Sequence, residues 1–134
     1  VNRRETVLNI KTSGKSDMVD ITGEITSAVR ESGVRNGICM VYIPHTTCAV
    51  TINENADPAV KHDIMAELDK IVPWKDAYHH MEGNSAAHIK SSMFGFSQTI
   101  PITEGALPLG TWQGIYLCEF DGPRSRTVSV QIFG

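Results

Sequence analysis

Long apolar runs are missing from this chain: none approaches the roughly 20 residues that a membrane-spanning helix requires. The N-terminal residues carry no signal-peptide pattern, so the expectation is a cytoplasmic protein with no membrane partner. Cysteine is scarce. Cys39, Cys48 and Cys118 are odd in number and include no CxxC pair, which fits free thiols in a reducing compartment and not a disulfide framework. Positive charge is also short, with 12 Lys and Arg against 15 Asp and Glu and a formal net charge of -3. A general nucleic-acid binder needs a basic stripe for phosphates, and this composition does not supply one, although a local basic cluster could hold a small phosphorylated ligand. No Gly-rich phosphate loop, Ser-nucleophile elbow or dinucleotide fingerprint occurs. Repeats, low-complexity tracts and linkers are absent too, so residues 1–134 read as one domain with enough length to bury a core.

What is present is a series of short apolar segments with clear punctuation. Residues 6–11 read as a strand. Ile21, Ile25, Ala28 and Val29 recur at helical spacing, with Asp20 as the expected N-cap and Gly33 as the stop. Residues 38–43 have the length and branching of a buried strand, which Pro44 closes, and 48–53 follow with Cys48, Val50 and Ile52 on one face. Asp57-Pro58 is an N-cap followed by proline at the first helical position. Val60, Ile64, Leu68 and Ile71 mark the apolar face of that helix, and Pro73 ends it. Residues 86–93 form a short helix ended by Gly95. Strands at 97–102, 114–120 and 126–133 complete the chain, the last with Val128, Val130 and Ile132 in strict alternation. The order is not a regular alternation of strand and helix. It predicts an α+β domain with a mostly antiparallel sheet, two longer helices and one short helix.

Histidine carries the chemistry. His45 follows a buried strand in PHTTC, and His80 and His88 lie in HHMEGNSAAH. Imidazole is the commonest metal ligand and titrates near neutrality. The eight-residue separation of His80 and His88 is not the i, i+4 spacing of one helical face, but it allows one ligand from a loop and one from the helix after it. His79 points away from its neighbour, and His62 falls on the polar side of a helix. Asn53 and Glu54 sit in a run dense in hydrogen-bonding groups, where a carboxylate could orient a ligand or act as a base. Thr111 and Gln113 flank Trp112 between two glycines and could contact a ligand. Arg124 lies in EFDGPRSR, where its planar fork suits phosphate but also suits an ion pair with Glu119 or Asp121. Cys48, three residues after His45, invites a thiolate nucleophile, but its place on the interior face of a strand reads more simply as core.

Three stretches taken together, HTTCAVTINENADP, YHHMEGNSAAHIKSSMFGFS and GALPLGTWQGIYLCEFDGPRSR, resemble the YjbQ-like family, also called the secondary thiamine-phosphate synthase family. The resemblance runs from the first strand to the last. It implies a compact α+β domain dominated by a β-sandwich and assembled as a homotrimer. It implies that the histidine of the PHT motif, the second residue after the tyrosine and the histidine of AHIK bind a divalent metal, with zinc the usual ion. These are His45, His80 and His88. It also implies an activity joining hydroxymethylpyrimidine diphosphate and thiazole phosphate into thiamine phosphate.

Three imidazoles leave a fourth position open for water or substrate, as in catalytic zinc sites. Glu54 or Glu82 would then serve as base or orienting carboxylate, Arg124 would offset substrate phosphate, and Asn53, Thr111 and Gln113 would contact the substrate. Two other readings stand beside the synthase: a zinc-dependent hydrolase of a small ester, amide or phosphate, and a non-enzymatic metal- or ligand-binding trimer. Diphosphate chemistry usually enlists magnesium or manganese, which prefer oxygen ligands, so an imidazole site weighs against a conventional diphosphate-displacing synthase.

Overall fold

A computed structural model describes residues 2–134. Its elements run β1 (Arg3–Lys11), β2 (Asp17–Asp20), α1 (Thr22–Ser32), β3 (Gly37–Tyr42), β4 (Cys48–Glu54), α2 (Pro58–Ile71), α3 (Ser85–Phe94), β5 (Ser97–Ile102), β6 (Gln113–Glu119) and β7 (Ser125–Phe133). The strands form two antiparallel sheets, ordered β1-β7-β3-β5 and β2-β6-β4. The expected mixed, mostly antiparallel architecture is what the chain adopts.

The two sheets pack face to face. Cys39, Val41, Ile100, Val128 and Val130 from the first meet Cys48, Val50, Ile115 and Leu117 from the second, and α1 seals the interior with Ile21, Ile25, Ala28 and Val29. The opposite face of the second sheet is covered by α2 and α3. There Ala49, Tyr116, Cys118 and Phe120 meet Leu68 and Ala87. Burial on both faces explains why β6 reads as continuous apolar sequence while β7 alternates. The outer face of the first sheet has no covering layer, and Val7, Ile38 and Tyr42 are exposed on it.

Helix α2 begins as its sequence dictates: Asp57 accepts a hydrogen bond from the Ala59 amide at 2.9 Å, and Pro58 takes the first turn. Three details differ from the sequence expectation. Strand β2 was not foreseen, because a four-residue strand leaves little periodicity to read. Helix α1 has Ile21 in its cap position, and Asp20 instead serves the next turn by accepting from the Thr22 amide and hydroxyl. Ile71, expected on the buried face of α2, is exposed at the helix's last turn.

The strand register separates the chain's polar residues into two ends. Cys48 pairs with Glu119 at one end of β4–β6, and Glu54 pairs with Gln113 at the other. Six residue steps at about 3.3 Å place these ends roughly 20 Å apart. The connections before β2, β4, α3 and β7 converge on the Cys48 end.

Candidate functional site

His45 stands where β3 parts from β7. The last residue of β3 paired to β7 is Tyr42, opposite Ser129, and Pro44 has no amide to continue the ladder. The Thr127 amide is thereby left without a strand partner, and His45 supplies one: its Nε2 accepts from Thr127 N at 3.0 Å, with the Thr127 hydroxyl at 3.3 Å. A ring nitrogen that accepts from an amide is unprotonated, so in the neutral ring the proton is assigned to Nδ1. Burial, reinforced by the Arg126 guanidinium, lowers the imidazole below its ordinary value of 6.5.

His80 and His88 are brought together by local folding. The Gly83 amide donates to the His80 carbonyl at 3.1 Å, closing a turn whose last residue adopts φ of 74°, a conformation glycine takes without strain. Asn84 then starts α3. Its side chain does not cap the helix but donates across to Asp121 Oδ2 at 2.9 Å. The chain thus doubles back, and the rings of His80 and His88 meet edge to face with centroids 5.4 Å apart. His80 is exposed and His88 half-buried. His62 is exposed beside Asp63, His79 is exposed on the loop, and Glu82 is exposed on the turn between the paired histidines.

A buried ion pair underlies this end. Glu119 and Arg126, with side chains 0% and 4% exposed, bind each other through both carboxylate oxygens. Thr12 donates to Glu119 at 2.6 Å, the Asp121 amide donates to it at 3.1 Å, and Arg126 donates to the Thr47 hydroxyl at 2.9 Å. Burial alone would raise the Glu119 carboxyl, but the hydrogen bonds from Arg126, Thr12 and Asp121 outweigh it and hold the group below its ordinary range. Arg124 lies nearer the surface, paired with Asp121 at 3.0 Å. One bonded frame therefore runs from the Thr47 loop beside His45 through Arg126, Glu119 and Asp121 to Asn84 and the paired histidines. Asn84 and Thr127 gave no signal in the sequence beyond their position beside histidines and strand ends.

The other candidate residues lie at the far end of the second sheet. Asn53 accepts from the Glu54 amide, Glu54 accepts from the Asp57 amide at 3.3 Å, and Gln113 accepts from the Gly110 amide at 2.8 Å. Thr111 and Trp112 are exposed beside them. A single chain does not bring this group to the histidines. Among the described residues, no three His, Cys, Asp or Glu side chains of one chain are grouped to hold a metal. Within one chain, His80 and His88 would supply at most two of the four positions that zinc takes. Cys48 is fully buried, and burial pushes its thiol up to about 12, so it lies in the core as expected and carries no thiolate. No helix is long and apolar enough to cross a membrane among the described residues.

Comparison with known proteins places this geometry in a family. The sequence model described as UPF0047 protein YjbQ-like matches residues 6–134. The UPF0047 protein YugU of Bacillus subtilis is 51% identical over 95% of this chain and 97% of its own length. A UPF0047 protein of Methanocaldococcus jannaschii is 56% identical over 93% of this chain and 91% of its own. Among solved structures, a YjbQ/UPF0047 protein of Clostridium acetobutylicum matches with a TM-score of 0.94 at 54% identity, covering 96% of this chain and 99% of that one. A protein of Sulfolobus solfataricus described as YbjQ-like and of unknown function matches with a TM-score of 0.96 at 32% identity, covering 99% and 98%. This chain belongs to the YjbQ-like UPF0047 family.

Proposed function

We propose that the protein is a homotrimeric zinc-binding enzyme acting on a small phosphorylated metabolite, with His80, His88 and His45 as the metal ligands. The observation that carries this reading is the His80–His88 pair: two imidazoles edge to face at 5.4 Å, one from the loop before α3 and one from the start of that helix. Neither ring is needed by the hydrophobic core. His45 is at the same end, but its Nε2 lone pair is in use. To ligate through that atom it must exchange the Thr127 amide for the ion. Zinc bound there would supply Lewis acidity toward a phosphate oxygen and a lowered pKa for a bound water. The chain's own residues supply the rest. Arg124 offers its outer guanidinium face to substrate phosphate while Asp121 holds it, and Glu82, on the turn between the two histidines, is the acid–base group of this end.

The test is metal analysis after zinc loading and desalting. Wild type, His62→Ala and His79→Ala should retain stoichiometric zinc, and His80→Ala and His88→Ala should lose it. His45→Ala should retain less than wild type. A zinc-free wild type, or full retention in both His80→Ala and His88→Ala, sinks the metal centre. Thiamine phosphate formation from the two phosphorylated precursors is the specific reaction to assay, and a yield no higher than that of His88→Ala removes it.

A further inference from the structure

Lys15 lies on the connection between β1 and β2, and its ammonium stands 3.5 Å from the centre of the Trp74 ring. It forms no ion pair among the described residues. The acids on the adjoining segments are already engaged: Asp17 holds Lys61 at 2.9 Å, Asp121 holds Arg124 and Asn84, and Glu119 is buried against Arg126. Asp76 and Glu82 are exposed on the connection that carries Trp74, and neither reaches Lys15 as an ion pair. An ammonium on an indole face is held by the ring's quadrupole, but it gives up neither its charge nor its donors. A carboxylate partner would have neutralised it.

Both sides of this contact are anchored. The Thr12 amide donates to the Arg124 carbonyl, the Arg124 amide donates to the Thr12 hydroxyl, and the Gly122 amide donates to the Lys15 carbonyl, each at 2.9 Å. A side chain at Gly122 would run into the Gly14 carbonyl, so glycine is what lets the loop seat this closely. The Lys15 loop is thus laced to the turn that carries Arg124. Trp74 is half-buried and packs against the second core, on the connection between α2 and α3 that also carries His80. Three segments therefore present Lys15, Arg124 and the paired histidines at one end of the molecule.

We propose that Lys15 is a phosphate-binding residue, stored on Trp74 and working beside Arg124, and that Trp74 is the positioning residue that keeps it there. The ligand it takes is a phosphate monoester dianion. Charge-assisted hydrogen bonds to phosphate are stronger than an exposed cation–π contact, so an arriving phosphate draws the ammonium to itself. Arg124 shares its charge with Asp121 and offers a planar fork; Lys15 adds a compact point charge on a flexible stem that can follow the phosphate oxygens. The inference deepens the reading above and rests on its phosphorylated ligand, not on the metal.

Inorganic phosphate is the probe, titrated at about pH 8 into zinc-free protein by calorimetry, so that bound metal plays no part in the outcome. Wild type should bind it, K15Q should raise Kd about tenfold, and K15R should recover part of the loss. A second readout follows Trp74 itself. The chain has two tryptophans, so W112F leaves Trp74 as the sole source of indole emission. Phosphate reduces the positive charge felt at that ring, so it should shift the emission of W112F and leave K15Q/W112F unmoved. Chloride at equal ionic strength should shift neither. A Lys15 that only pins the loop would leave Kd unchanged in K15Q and lower its stability in urea instead. That result, or an emission response that survives in K15Q/W112F, overturns the inference and leaves the phosphorylated ligand standing. A wild type that binds no phosphate overturns both, while zinc retention tests the metal ligands separately.

Discussion

The Thr127 amide and the His45 imidazole each complete the other. The amide is stranded by the end of β3, and the ring fills the place that Pro44 cannot. The sequence puts His45 at a strand end, which is correct, but its partner lies 82 residues away on another strand, and no local pattern announces that pairing. Removing the ring leaves a half-buried donor to water. His45→Ala should therefore cost about 1 kcal/mol in urea denaturation at neutral pH, the value of one ordinary hydrogen bond. The pH dependence is a sharper check. The folded-state value is lowered by burial and by Arg126, so the unfolded chain binds the proton more readily. The neutral ring's contribution is complete above its ordinary 6.5 and is lost as pH falls below that toward the folded value. Wild type should lose stability on moving from above to below 6.5, and His45→Ala should lose less; equal losses would mean the ring's neutrality does not support the fold.

Elements were legible where capping and punctuation are local. Asp57, Pro58 and Pro73 bound α2, and its Asp57 cap behaves as its residue type predicts. Helix α3 shows the opposite case. Asn84 is a favourable N-cap residue, yet its side chain turns to Asp121, with the residue only 7% exposed. Helix propensity therefore says nothing of what Asn84 does, because its partner belongs to the β6–β7 turn. This gives a prediction that capping rules alone would reverse. Aspartate is as good an N-cap as asparagine, but Asn84→Asp replaces a donor with a second carboxylate facing Asp121. The variant should lose about 1–3 kcal/mol, the usual cost of leaving a buried group unpaired. Adding Asp121→Asn should restore most of it by returning a donor to the pair. Equal stability of Asn84→Asp and wild type in chemical denaturation would show that the bond to Asp121 does not hold α3 in place.

Across the whole molecule, two groupings suggested by the sequence resolve differently in three dimensions. Asn53 and Glu54 follow His45 closely in the chain, yet β4 carries them to the other end of the sandwich. The two acids and two arginines around residues 119–126 cannot be paired by eye. The fold buries Glu119 with Arg126 and leaves Asp121 with Arg124 nearer the surface. The buried pair joins β6 of one sheet to β7 of the other at the end that carries the histidines, so it acts on the sandwich as a unit. Removing one member strands the other charge in the interior. Glu119→Gln should therefore cost about 3–5 kcal/mol, whereas Glu119→Leu with Arg126→Met should be roughly neutral or stabilising by about 1–4 kcal/mol. The acid limb distinguishes the pair from generic packing. Hydrogen bonds from Arg126, Thr12 and the Asp121 amide overcome the burial penalty and hold the folded carboxyl below its ordinary 4.5. Its contribution is thus present above 4.5 and drains away as pH falls from there through the folded value. In acid titrations followed by circular dichroism, the double variant should show a shallower decline below that point than wild type. An identical acid limb would mean that carboxylates other than Glu119 govern acid unfolding, and that the two sheets are held at this end by their apolar contacts alone.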